Sequence, residues 1–211
     1  GTWSLLTPSN SESLTAADVD GDGAAELLAD LGTAGLWLWN AGSWGQLSGV
    51  DVEGLAAGDV NADGAAEVVG DFGAVGLWLL GGGGWSQLSG INVDAAITAN
   101  IDGAGGQEII GDFAGIGLWV WSGGLWTQLS GVDADDLTAG AWTGGQYLVG
   151  DFGTTGLWLW KSGVWTQLSG VNADDAITGD LDNVGDDEII GDFGGIARQI
   201  RLAAVEVQLG H

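Results

Sequence analysis

Gly-Leu-Trp occurs at Gly35, Gly76, Gly117 and Gly156, at intervals of 41, 41 and 39 residues. No other feature constrains the fold as strongly as this period. Each copy continues in the same way: an apolar run, a glycine turn, Trp-x-Gln-Leu-Ser-Gly, then Val or Ile followed by Asp or Asn. A short apolar strand comes next, then an acidic loop, then an aliphatic pair followed by Gly-Asp or Ala-Asp. A unit this short cannot bury its own apolar face and must stack on its neighbours. A period of ~40–45 residues suits four-stranded blades set around an axis. No run has the length or the 3.6-residue period of a helix, so the chain reads as all-β.

Taking the second copy as template, strands are expected at Leu55–Gly58, Glu67–Phe72, Gly76–Leu80 and Trp85–Leu88. The first strands number five. The expected fold is therefore a single domain over residues 1–211, a five-bladed β-propeller of four-stranded antiparallel blades at 11–48, 52–89, 93–130, 134–169 and 173–209. Thr2-Trp3-Ser4-Leu5-Leu6-Thr7 aligns with Val164–Ser169, an outer strand. Residues 2–7 are thus expected to complete the last blade and close the ring, hiding two edges open to aggregation. Residues 196–209 break the pattern and read either as a degraded third strand or as an appended tail. In Leu36-Trp37-Leu38-Trp39 both faces of the strand are apolar, so both are covered. The tryptophans are read as core, each bringing ~150–250 Å² of surface.

The acidic loop is clearest at Asp18-Val-Asp-Gly-Asp-Gly-Ala-Ala-Glu26, with oxygen side chains at positions 1, 3, 5 and 9. A hard cation such as Ca2+ takes six to eight oxygens, and alternating acids around a glycine turn supply them. An EF-hand needs a twelve-residue loop between helices, which is absent here. The candidate metal ligands are Asp18, Asp20, Asp22 and Glu26 in the first blade, and Asp59, Asn61, Asp63 and Glu67 in the second. The third offers Asn100, Asp102 and Glu108, with Ala104 at its centre. The fifth offers Asp180, Asp182 and Glu188, with Val184 at the central position and Asn183 or Asp186 as candidate replacements. The fourth blade, Gly140-Ala-Trp-Thr-Gly-Gly-Gln146, is two residues shorter and without acids, so no metal is expected there. Affinity should fall with ligand charge, from the first two loops through the fifth to the third.

The 29 acids against 3 basic residues give a formal charge of −26. Nothing here could neutralise phosphates, so nucleic acid is not an expected partner. With 45% hydrophobic residues and 13 Trp, the chain is also not a disordered acidic tail. No apolar run approaches the ~20 residues of a membrane span. The absence of cysteine leaves the redox compartment open, while weak calcium loops favour the calcium-rich exterior. Gly1 and the lack of Met read as a mature, trimmed or recombinant fragment.

The stretch Leu55-Ala-Ala-Gly-Asp-Val-Asn-Ala-Asp-Gly-Ala-Ala-Glu-Val-Val-Gly-Asp-Phe-Gly73 resembles the FG-GAP/VCBS repeat of integrin-type and secreted bacterial propellers, a resemblance that extends over residues 2–195. It implies calcium in loops between the first and second strands, and a binding or scaffolding role at the cell surface or outside the cell. Integrin-type propellers have seven blades, so their partner surfaces do not carry over to five. The near identity of Trp126–Val132 and Trp165–Val171 suggests recent duplication or deliberate construction.

Two further sets recur. Asp30, Asp71, Asp112, Asp151 and Asp192 precede Phe or Leu in every blade, either as a cation-binding ring or as acceptors of backbone N–H groups at strand ends. The pairs Trp44/Gln46, Trp85/Gln87, Trp126/Gln128 and Trp165/Gln167 sit two apart on the outer strand. An aromatic plate beside an amide suits a sugar, though the same Trp also suits packing under the next blade. A single terminal His, no Cys and one Tyr leave only carboxylates for acid–base catalysis, and these are repeated rather than singular. The expected function is a non-catalytic, monomeric, calcium-binding module for adhesion, structure or binding of cell-surface proteins. A multivalent lectin binding glycans, a designed or recombined propeller without a ligand, and a polysaccharide-active enzyme are the alternatives.

Overall fold

The computed structural model describes residues 2–194. Among the described residues the fold is all-β: five antiparallel sheets, four of four strands and one of two. The first sheet runs β1 (Ser13–Ala17), β2 (Glu26–Asp30), β3 (Leu36–Asn40) and β4 (Ser43–Ser48), in that spatial order. The second is β5 (Gly54–Gly58), β6 (Glu67–Asp71), β7 (Leu77–Gly81) and β8 (Gly84–Ser89). The third holds β9 (Ala95–Ala99), β10 (Glu108–Phe113), β11 (Gly117–Ser122) and β12 (Leu125–Gln128). The fourth holds β13 (Asp136–Trp142), β14 (Gly145–Asp151), β15 (Leu157–Lys161) and β16 (Val164–Ser169). The fifth pairs β17 (Asp175–Gly179) with β18 (Glu188–Asp192). Every strand expected in the second copy is present, with ends shifted by at most one residue. The third strand expected of the last blade, at 196–209, lies outside the described residues.

Sequence period translates directly into strand order here, because each strand pairs with the next by a short turn. Between the second and third strands that turn is a single 3-10 turn in three sheets: Gly32–Ala34, Gly73–Val75 and Gly153–Thr155. It ends at a glycine of positive φ, as at Gly76 (φ 91°), where a Cβ would also strike the Ser89 carbonyl. That double demand accounts for the glycine before every Leu-Trp.

Contacts divide the chain into two compact units, Gly1–Thr98 and Ala99–His211. In the first, Leu28, Leu36, Val52 and Val68 form a buried cluster, with Leu38, Leu55, Phe72 and Trp85 packed on it. In the second, Tyr147, Val149, Leu157, Leu159, Ala176, Ile189 and Phe193 form another. Each core thus lies between successive sheets, and the second strand of each is the most enclosed: all five residues of β6 and all six of β10 are buried. The expectation of a tryptophan core needs correcting. The described tryptophans are half-buried except Trp3, which is fully exposed. Leu36, Leu77 and Leu118, each beside a Trp on its third strand, are completely buried instead.

The segment 2–7 lies in none of the described strands, and its expected role as a closing strand turns on residues outside those described. The strand it would pair with falls at 196–209. Its Leu6 carbonyl nevertheless accepts a bond from Trp44 Nε1 (3.2 Å). Leu47 accepts the same bond from Trp85 (3.1 Å) and Leu129 from Trp165 (3.0 Å).

Candidate metal centres

Register places the recurrent acids of the second strand at its two ends. In the first sheet Ala17 pairs with Glu26 and Ser13 with Asp30, so the acidic loop leaves one end of β2 and the Asp30 carboxyl sits at the other. In the loop itself, Gly21 and Asp22 N–H groups donate to Asp18 Oδ1 (2.8 and 3.1 Å), and Gly23 donates to Oδ2 (2.8 Å). Asp20 Oδ1 accepts from Asp22 N (3.1 Å) and Asp22 Oδ1 from Ala24 N (2.8 Å). These bonds curl the backbone so that oxygens of Asp18, Asp20 and Asp22 come within 4.8 Å of one another. Three carboxylates so close repel one another unless a cation stands among them.

Glu26, expected as a ligand, also serves the backbone of its loop. It is buried, and its Oε2 accepts from Val19 N (2.8 Å). The same lock closes the other acidic loops: Glu67 on Val60 N (2.9 Å), Glu108 on Ile101 N (3.0 Å) and Glu188 on Leu181 N (2.8 Å). Burial pushes the Glu108 carboxyl up from its ordinary value.

The remaining loops depart from the first in ways the spacing alone does not reveal. In the second, Asp59 accepts from Asp63 N (3.1 Å) and Gly64 N (3.0 Å), but Asn61 Nδ2 donates to Glu67 Oε1 (2.6 Å), tying the amide to the lock. In the third, Asp102 accepts from Ala104 N (2.8 Å), while Asn100 Oδ1 is buried and takes no hydrogen bond among the described residues. In the fifth, Asp180, Asp182 and Glu188 gather within 4.8 Å. Asp186 does not replace the missing central oxygen: it faces the fourth sheet, accepting from Thr143 N (2.9 Å) and pairing with Lys161 Nζ at 3.4 Å. Its carboxyl is held low by the Thr143 N–H, with the Lys161 charge adding to it.

The fourth sheet replaces the loop by a hairpin in which Trp142 pairs with Gly145, leaving Thr143-Gly144 as the turn. Tyr147 takes the place of the lock glutamate, and its hydroxyl donates to the Asp187 carbonyl (2.6 Å). Nothing in the spacing singled it out; its position one residue before the aliphatic pair, where the other copies carry Glu, was the available signal. Lys161 Nζ also lies 3.9 Å from the centroid of the Trp142 ring.

The donor sets are hard oxygen throughout, the chemistry of calcium rather than of softer ions. The first loop offers three carboxylates, and Lys161, the only basic side chain within residues 2–194, is engaged elsewhere. The first loop therefore fits a divalent cation best.

At the opposite strand ends the recurrent aspartates are acceptors. Asp30 takes the Gly32 N–H (3.0 Å), Asp71 that of Gly73 (3.1 Å), Asp112 that of Ala134 (3.0 Å) and Asp151 that of Ala173 (3.2 Å). All four are buried. Burial, then the Glu53 and Asp94 charges, push the Asp71 carboxyl up to about 6. Asp30 and Asp151 are likewise raised, chiefly by burial.

The Trp/Gln pairs are occupied inside the fold. Gln46, Gln87, Gln128 and Gln167 donate through Nε2 to the carbonyls of Ala34, Val75, Ile116 and Thr155 at 2.9–3.0 Å. Trp44, Trp85 and Trp165 spend their N–H on the carbonyls of Leu6, Leu47 and Leu129. Trp85, Trp126 and Trp165 each stand edge-on to Phe72, Phe113 and Phe152, with centroids 5.2 Å apart.

Neither a family model nor a curated protein matches the sequence. Among solved structures, the chain is similar to a rhamnogalacturonan lyase of Bacillus licheniformis, with a TM-score of 0.52 at 15% identity. The likeness covers 86% of this chain and 46% of the lyase, so the chain spans about half that protein's length. At this identity the shared property is the fold.

Proposed function

We propose that the chain is a non-catalytic, calcium-binding five-bladed propeller of the FG-GAP/VCBS kind, serving outside the cell as a binding or structural module. The observation that carries this reading is the convergence of Asp18, Asp20 and Asp22 around one turn, repeated with Asp180, Asp182 and Glu188. Asp18, Asp20 and Asp22 would hold the cation; the bound ion would cancel their repulsion and fix the β1–β2 loop. Closure of the ring is supported by the Leu6 carbonyl, which meets Trp44 as the outer-strand leucines Leu47 and Leu129 meet the following Trp. The lyase likeness extends to fold alone, and function resides in sites rather than folds. On this reading rhamnogalacturonan yields no unsaturated product with this chain.

The test is thermal unfolding with and without calcium, followed by tryptophan fluorescence. Calcium at ~100 times its dissociation constant should add about 2.7 kcal/mol for one site. Asp18→Asn together with Asp20→Asn should remove most of that gain while leaving the chelated protein's stability close to wild type. Equal melting of the wild-type protein in calcium and chelator would defeat the reading.

A further inference from the structure

The ends of the sheets away from the acidic loops carry a feature the calcium reading does not use. Glu12, Asp30 and Asp51 present carboxylate oxygens within 4.8 Å of one another. They come from three places: the segment entering β1, the end of β2, and the linker from β4 to β5. Asp30 is buried, while Glu12 and Asp51 are exposed. Glu12 is drawn in because its backbone N–H donates to the Asp30 carbonyl (2.9 Å) and its carboxylate lies where a side chain on Gly32 would stand. Asp51 thus sets a second acid against Asp30, their carboxylate oxygens within 4.8 Å. Two carboxyl groups can share a hydrogen bond only when one of them carries a proton.

The other copies show how this linker position behaves with different chemistry. Asn92 replaces Asp51 in the second sheet, and its Nδ2 donates to Glu53 Oε2 (3.3 Å). Asn172 replaces it in the fourth; with its amide turned to suit its surroundings, Nδ2 donates to Asp151 Oδ2 (3.2 Å) and to the Gly153 carbonyl (2.9 Å). Asp133 replaces it in the third, where its two oxygens accept from Gly115 N (2.8 Å) and Gly117 N (2.9 Å). An amide thus supplies a hydrogen in two copies, and backbone N–H groups satisfy the acid in a third. At Asp51, by contrast, the linker acid faces the carboxylates of Glu12 and Asp30.

We propose that the Glu12–Asp30–Asp51 cluster is a proton-operated latch: protonated, it ties the end of β2 to the linker leading into the second sheet, and deprotonated, it pushes the two apart. Protonated, Asp30 supplies to the junction the hydrogen that Asn92 and Asn172 supply at every pH. Burial, then the charges of Asp51 and Glu12, raise the Asp30 carboxyl above its ordinary value against the Gly32 N–H bond. The groups facing it are these two acids, and no basic side chain lies in the first unit. A raised folded-state pKa means that the stability gained by protonation is complete below the unfolded value of ~3.9. That stability is lost as the pH climbs through the raised value. Acidification from neutrality therefore strengthens this junction, the opposite of its effect on a calcium loop.

The test compares wild type with Asp51→Asn in chelator, so that the loops are metal-free, by urea and thermal unfolding at pH 7.5 and 5.5. At pH 7.5 Asp51→Asn should melt higher by about 2–4 °C, the shift that about 1 kcal/mol produces in a chain of this size. At pH 5.5 the difference should be smaller than at pH 7.5. Glu12→Gln should reproduce the neutral-pH gain to a smaller extent. An Asp51→Asn protein that is equal to or less stable than wild type at pH 7.5, unfolded protein included, overturns the proposal. So does a gap that does not change with pH. A third result would also overturn it, assigning the cluster to a cation: calcium stabilisation that persists in Asp18→Asn/Asp59→Asn and disappears when Asp51→Asn is added.

Discussion

The first and fourth sheets solve one problem in two ways. Both must join a first strand to a buried second strand. The first uses nine residues, Asp18 to Glu26, with three clustered carboxylates and a buried glutamate locking Val19 N. The fourth uses the two-residue turn Thr143-Gly144 and puts Tyr147 where the glutamate would be. The paired strands are as regular in one as in the other. The acidic loop is therefore an accessory to the sheet, and the second strand is what each repeat cannot do without. The fourth sheet has no acidic loop of its own, yet it is not free of electrostatics. Its hairpin grips the fifth loop through Asp186, Asp187 and Lys161, so an ammonium group occupies the role that a divalent ion is proposed to fill elsewhere.

Three substitutions sharpen that comparison. The largest effect should come from Tyr147→Ala, which removes a buried ring and the bond to Asp187. A loss of about 3–5 kcal/mol in urea unfolding is expected, equal in calcium and in chelator. A smaller loss would mean that the tyrosine is not the counterpart of the lock. Glu26→Ala should cost about 1–3 kcal/mol in chelator by leaving Val19 N without its acceptor. A cost seen only when calcium is present would instead make Glu26 a ligand and not a lock. Least is expected of Lys161→Met. The pair with Asp186 is partly exposed, so the loss should stay within about 1 kcal/mol and fade as salt is raised. Retained salt dependence in that variant would show that Lys161 is not its source.

Much of this fold was legible because a strand's two faces and its turn leave periodic marks. The glycine before each Leu-Trp, the paired aliphatics after the acidic loop and the Trp-x-Gln-Leu-Ser run located the strands to within a residue in the second sheet. The metal loops were legible as candidates for the same reason, since acids at alternate positions of a glycine turn converge through local bonds such as Asp18 with Gly21 and Gly23. What local spacing could not reveal was the division of labour among those acids. Glu26 and Asp18 look alike in a string, but one is buried at the end of β2 and the other is not.

The sequence by itself determined the all-β class, the repeat, the strand order within each sheet and the positions of the oxygen-rich turns. These follow from side-chain alternation and turn chemistry, which act over a few residues. Only the tertiary structure decided that leucines rather than tryptophans fill the centre, that Asp186 serves the neighbouring hairpin, and that Glu12, Asp30 and Asp51 meet. Those outcomes depend on which surfaces of successive sheets come within a few ångströms, and on how much water is left between them. Contacts of that kind join residues tens of positions apart, where no local pattern records them.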